Sequence, residues 1–172
     1  MNQFDAMTIV AELALGIAGF SGVVVALGSR PGIWPRVDRL RLATLLATGL
    51  GALFLVLFAM MLILLEVDHD LVWRISSALM ALHGLAMMIT IVPGAWSITR
   101  NTTGMKSPYS VAVFIPTVVL GAANILVQSM NAVGILSVDR FGIFFAGLVI
   151  LLLNSGTQFV RLLFVARDTD EN

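Results

Sequence analysis

Residues 6–28 read AMTIVAELALGIAGFSGVVVALG. This run is apolar enough, and long enough at ~1.5 Å per residue, to cross ~30 Å of hydrocarbon as a helix. It holds one carboxylate, Glu12, roughly 10 Å from its N-terminal boundary. At ~100° per residue, Asp5, Thr8, Glu12, Gly16, Gly19, Val23 and Ala26 share a face that is mostly small or polar. Val10, Ile17 and Val24 lie opposite. Small residues let helix backbones approach closely, so this face is expected to turn toward other helices and carry Glu12 into a bundle.

The rest of the chain repeats the theme. Of 172 residues, 59% are hydrophobic and 12% charged, whereas soluble domains average about 25% charged. Further apolar segments lie at 41–66, 71–97, 110–133 and 141–165, joined by short connectors. The expectation is an all-α integral membrane protein, one domain of five transmembrane helices. The N-terminal MNQFDAM has an Asp and no Lys or Arg, the wrong sign for a secretory signal, so the first helix is read as retained.

Charge asymmetry supplies an orientation. Arg30, Arg36, Arg39, Arg41, Arg100, Lys106, Arg161 and Arg167 fall on one side under alternation. Arg74 and Arg140 fall on the other, beside Asp5, Glu66, Asp68, Asp70 and Asp139. The N-terminus is therefore expected outside and the C-terminus in the cytoplasm of a cell membrane, in the manner of a bacterial inner-membrane protein. Trp34, Trp73, Trp96 and Tyr109 sit at helix ends, where amphipathic rings favour the headgroup region. Arg30, Trp34, Arg36, Arg39 and Arg41 are candidates for contact with anionic headgroups, although arginines in such a loop also serve topology alone.

Composition excludes several functions. There is no cysteine, which removes disulfides, thiolate metal sites and cysteine nucleophiles. Net charge is zero, so bulk electrostatics offers no argument for nucleic acid. Walker, GxSxG and HExxH signatures are absent, and GIAGFSG (residues 16–22) is a helix-packing pattern, not a dinucleotide loop. No enzyme and no cofactor is expected. His83, with Met80 and Met87 on its face, is the only arrangement resembling a soft-metal or haem site, and methionine is common packing material.

The clearest polar periodicity lies in the fourth segment. Thr117, Gly121, Asn124, Gln128 and Asn131 recur at spacings of four and three. Gly147, Asn154, Gln158 and Arg161 make a similar face in the fifth. An unpaired amide in hydrocarbon costs several kcal/mol, so these faces must meet each other, another subunit or water. Glu12, Arg74 and Gln128 fall at similar depth, which allows either an ion site or a structural Glu12–Arg74 pair.

Two functional expectations result. The first is a homo-oligomeric channel or small transporter, its polar path running past Glu12, Gln128, Asn124, Asn154, Gln158 and Arg161, with Arg74 near the mouth. Glu12 leans that path toward cations and Arg161 blurs the lean. The second is a non-catalytic scaffold, anchor or sensor subunit, using the arginine loop and the tail RDTDEN as contacts.

Overall fold

Proline at position 93 explains the first feature of the architecture. It offers no N–H to the carbonyl of Ile89, and its ring crowds that carbonyl, which kinks or breaks a helix. In the computed structural model the third apolar segment accordingly divides into α3 (His69–Thr90) and α4 (Val92–Asn101), separated at Ile91. The break is bridged by Ile91 N–H to Met87 O and Ala95 N–H to Ile91 O. The remaining elements are α1 (Gln3–Gly28), α2 (Arg36–Leu64), α5 (Val111–Val133) and α6 (Arg140–Asp168). α5 runs on through Pro116 in its second turn. The structure describes residues 2–28, 36–101, 111–136 and 138–168, and among them it is all-helical.

Five helical stretches are long and apolar enough to cross a membrane: Gln3–Val23, Arg39–Leu64, His69–Ile98, Phe114–Val133 and Arg140–Leu162. They match the five expected segments, with α3 and α4 together making the third.

α2 is the centre of the bundle. It packs against α1, α3, α4 and α6, while α5 lies outside, across α3 and α6. Ala52, Leu55, Val56, Ala59 and Leu62 of α2 are buried with Met7 and Val10 of α1, Val72, Trp73 and Met80 of α3, and Phe144, Leu148 and Leu151 of α6. The nearly unbroken apolar run GALFLVLFAMMLILL (residues 51–65) by itself suggests a lipid-facing helix, and the structure instead buries one face of it in the bundle. A helix apolar all round carries no facial signal, and a protein interior suits it as well as lipid does.

One end of the bundle, here the Asp70 end, gathers the start of α1, the α2–α3 turn and the α5–α6 turn. Two aspartates cap helices there. Asp68 accepts from the N–H groups of Asp70 and Leu71 at the start of α3. Asp139 accepts from those of Phe141 and Gly142 at the start of α6. Each satisfies amides that an α-helix leaves open at its first turn. The α2–α3 turn puts Glu66 at φ 55, and the α5–α6 turn puts Gly134 at φ 80. At Gly134 a side chain would also run into the Arg74 guanidinium. The opposite end, with Arg41 of α2, is the Arg41 end.

Candidate functional site

The expected facing of α1 is reversed. Ala6, Met7, Val10, Ala14 and Ser21 are buried against α2 and α6. Asp5, Glu12, Gly16, Gly19 and Val23 lie exposed on the outside of the bundle, and a Cβ on Gly16, Gly19 or Gly22 would meet nothing within 4 Å. Both faces carry small residues, and the one able to mesh with Ala52, Leu55, Val56 and Ala59 of α2 won. Glu12 therefore does not enter the bundle, and no expected path through the chain passes it.

Arg74 is committed elsewhere. Its guanidinium donates to Val133 O at 2.9 Å and lies 4.0 Å from Asp70, so it closes the last turn of α5 instead of pairing with Glu12. Asp70 also pairs with Arg140. Trp73, expected at headgroup depth, is buried against Phe141 and Phe144, and its Nε1–H donates to Nε2 of His69.

Of the expected headgroup contacts, Arg30 and Trp34 lie outside the described residues and Arg36 begins α2. Arg39 is exposed, but Arg41 is only 3% exposed, which removes it from the membrane-facing set. His83, Met80 and Met87 meet different neighbours. The His83 ring lies against the α2 backbone at Ala47 and over Gly51, where a Cβ would strike it. Met80 turns to Gly147 of α6, and Met87 lines a cavity. Among the described residues no three His, Cys, Asp or Glu side chains come together.

The polar stripe of α5 divides in two. Toward the Asp70 end it is bonded to protein. Gln128 donates from Nε2 to Ile143 O at 2.9 Å and to Asn124 Oδ1 at 3.3 Å. Asn131 donates from Nδ2 to Ser77 Oγ at 2.8 Å and to Arg140 O at 3.1 Å, while Arg140 donates back to Asn131 O. The oxygens Gln128 Oε1 and Asn131 Oδ1 remain without partners. Gly147 makes the approach possible, because a Cβ there would strike Met80, Gln128 and Asn124. Asn131 and Ser77, absent from the expected path, thus tie α5 to α3. Asn131 was signalled by its place at the end of the α5 stripe, whereas nothing in that stripe marks Ser77 on α3.

Toward the Arg41 end the stripe borders a cavity of ≈ 210 Å³ between α2, α3, α4, α5 and α6. Thr44, Thr48, Thr117, Asn124, Asn154, Thr157 and Gln158 are its polar wall. Asn154 and Gln158 stand one turn apart on α6, and neither forms a hydrogen bond with any described residue. Gln158 is 5% exposed and its Oε1 is buried without a partner. Trp96 of α4 stacks on Phe114 of α5 at 6.0 Å beside this wall. Arg161, half-buried one turn beyond Gln158, does not line the cavity. A shallower groove of ≈ 540 Å³ continues between α5 and α6 toward Asp139, and shares Leu120, Asn124 and Ile150 with the cavity. Asn124, Gln128, Asn154 and Gln158 therefore do follow one seam, from which Glu12, Arg74 and Arg161 are absent.

Five apolar helices of spanning length, with little extramembrane chain among the described residues, fit the class of multi-pass helical membrane proteins. No family model, curated protein or solved structure matches the chain.

Proposed function

We propose that the protein is a small-solute transporter of the cell membrane, working along the α5–α6 seam with its Asp70 end outside. This keeps the channel-or-transporter expectation and moves the route away from Glu12. One observation carries the reading: Asn154 and Gln158 face a cavity, neither is hydrogen-bonded to a described residue, and Gln158 Oε1 is buried without a partner. An unbonded amide at membrane depth costs several kcal/mol, so a site that keeps two of them open is suited to a visiting polar molecule. On the other side of Asn124, the Gln128 and Asn131 bonds close the helices on each other, which suits a chamber accessible from one side at a time better than an open pore. The Lys and Arg asymmetry supports cytoplasmic placement of the Arg41 end, in the manner of a bacterial inner membrane.

The test is uptake of radiolabelled neutral solutes, with monovalent cations alongside, into proteoliposomes containing wild type or Asn154→Leu. Wild type should exceed empty liposomes for a neutral solute, and the variant should lose most of that excess. Wild type equal to empty liposomes for every solute defeats the reading.

A second reading, a scaffold that assembles with further copies of itself, is favoured by the exposed face of α1. Glu12 stands there at membrane depth beside Gly16 and Gly19, with open space for a close helix. Because the chain has no cysteine, Gly19→Cys alone reports on it. Disulfide-linked dimers in membranes support a second copy at this face, and their absence in oxidising conditions removes it.

A further inference from the structure

The chemistry of the ≈ 210 Å³ cavity narrows what can occupy it. None of its described lining residues is charged. A bare ion would therefore leave water without a counter-charge, at a cost of several kcal/mol. Most of the wall is apolar, with Met87, Met88, Ile91 and Phe114 among its larger side chains. A cavity of ~150 Å³ accommodates benzene, so this one suits a compact apolar body carrying a small polar head.

The hydrogen-bonding inventory specifies that head. Asn154 and Gln158 each offer a donor and an acceptor, spaced ~6 Å along α6. The threonines differ. Thr44 donates to Leu40 O, Thr48 to Thr44 O and Thr157 to Leu153 O. Their protons are committed to their own helices, and only lone pairs remain to face the cavity. Even with Asn124 Nδ2 included, oxygen acceptors outnumber amide nitrogens on this described wall, so a group that itself donates fits it.

We propose that the cavity is a binding site for a small neutral amphiphile, an alcohol or primary amide on an apolar body about the size of a substituted benzene ring. Its hydroxyl or amide sits between Asn154 and Gln158, and its body lies toward Met87 and Phe114. The proposal rests on the transport reading only in treating this molecule as cargo; the site stands or falls by binding.

The experiment is ¹⁹F NMR on the full chain in lipid nanodiscs, with 4-fluorobenzyl alcohol, 4-fluorotoluene and 4-fluorobenzylammonium as probes. Partition into empty nanodiscs is subtracted. The alcohol should bind at least tenfold more tightly than either of the others, and Gln158→Met and Asn154→Leu should each reduce that preference below threefold. Equal binding of the three, preference for the cation, or a preference unchanged in both variants overturns the site.

A second measurement does not depend on those variants folding. A nitroxide on Thr157→Cys, at the cavity wall, should broaden the alcohol signal, whereas one on Gly16→Cys of α1 should not. Equal broadening from both positions means lipid partition alone and overturns the site. Selective binding without solute uptake by proteoliposomes keeps the site and defeats the transport reading. Uptake without selective binding does the reverse.

Discussion

The two halves of the α5–α6 seam carry the same kind of side chain and use it differently. Toward the Asp70 end, Gln128 and Asn131 spend their NH₂ groups on Ile143 O, Ser77 and Arg140 O. Toward the Arg41 end, Asn154 and Gln158 spend theirs on no described residue. The difference arises from what each amide meets. Gly147 brings α6 within reach of Gln128 and Asn124, and Ser77 on α3 is aligned with Asn131. The kinked α3–α4 segment and the threonines of α2 instead border open volume around Asn154 and Gln158. Amide periodicity on a membrane helix reports that polar groups need partners; the neighbouring helix decides whether those partners are protein.

The contrast can be broken most severely at Gly147. Gly147→Leu forces bulk into Met80, Gln128 and Asn124, and overpacking of this kind costs ~1–3 kcal/mol. The expected outcome is a large drop in melting temperature in detergent and separation of the α5–α6 hairpin. A nitroxide distance measurement between Ser129→Cys and Ala146→Cys would register that separation as a lengthened distance. A melt and a distance both unchanged would mean that α5 and α6 are not in close contact there.

A smaller effect sharpens the bonded half. Asn131→Ala and Ser77→Ala each remove one side of a buried interhelical hydrogen bond. In membrane proteins such bonds couple by ~0.6–1.7 kcal/mol. The double-mutant cycle should return a coupling in that range, and strictly additive losses would show that the two side chains do not meet.

The smallest effect is expected far from the seam. Glu12→Gln changes an exposed residue with no partner among the described residues, so the melt of the detergent-solubilised monomer should move by less than ~0.5 kcal/mol. A loss several times larger would place Glu12 inside a packed contact after all.

Much of this arrangement is legible in the amino-acid sequence. Five spans follow from apolar length, and the interruption near residue 91 follows from Pro93. The run from Thr117 to Asn131 marked one face of α5 as the polar one. What could not be read was facing. Lipid and protein interior are both apolar, so α2, apolar on every side, carried no mark of its central place. On α1 the rule that small residues and intramembrane acids turn inward chose the wrong face, because Ala6, Ala14 and Ser21 supply a second small face that fits α2. Arg41 was counted for topology by its charge, yet its side chain is buried. Arg74 and Glu12 share a depth but lie on helices that face different neighbours. Depth follows from position along a helix; azimuth depends on what packs beside it.

The central claim is that the Gln158 amide is held open while the Gln128 amide is part of the bundle. The direct measurement is the thermal stability of Gln128→Met and Gln158→Met in ligand-free nanodiscs, side by side with wild type. Methionine keeps the approximate volume and removes the polar atoms. Losing the bonds to Ile143 O and Asn124 should make Gln128→Met less stable by ~1–2 kcal/mol. Removing an amide that has no partner should make Gln158→Met more stable than wild type, by ~1 kcal/mol. Equal destabilisation of the two variants would show that Gln158 is bonded within the protein and would contradict the account.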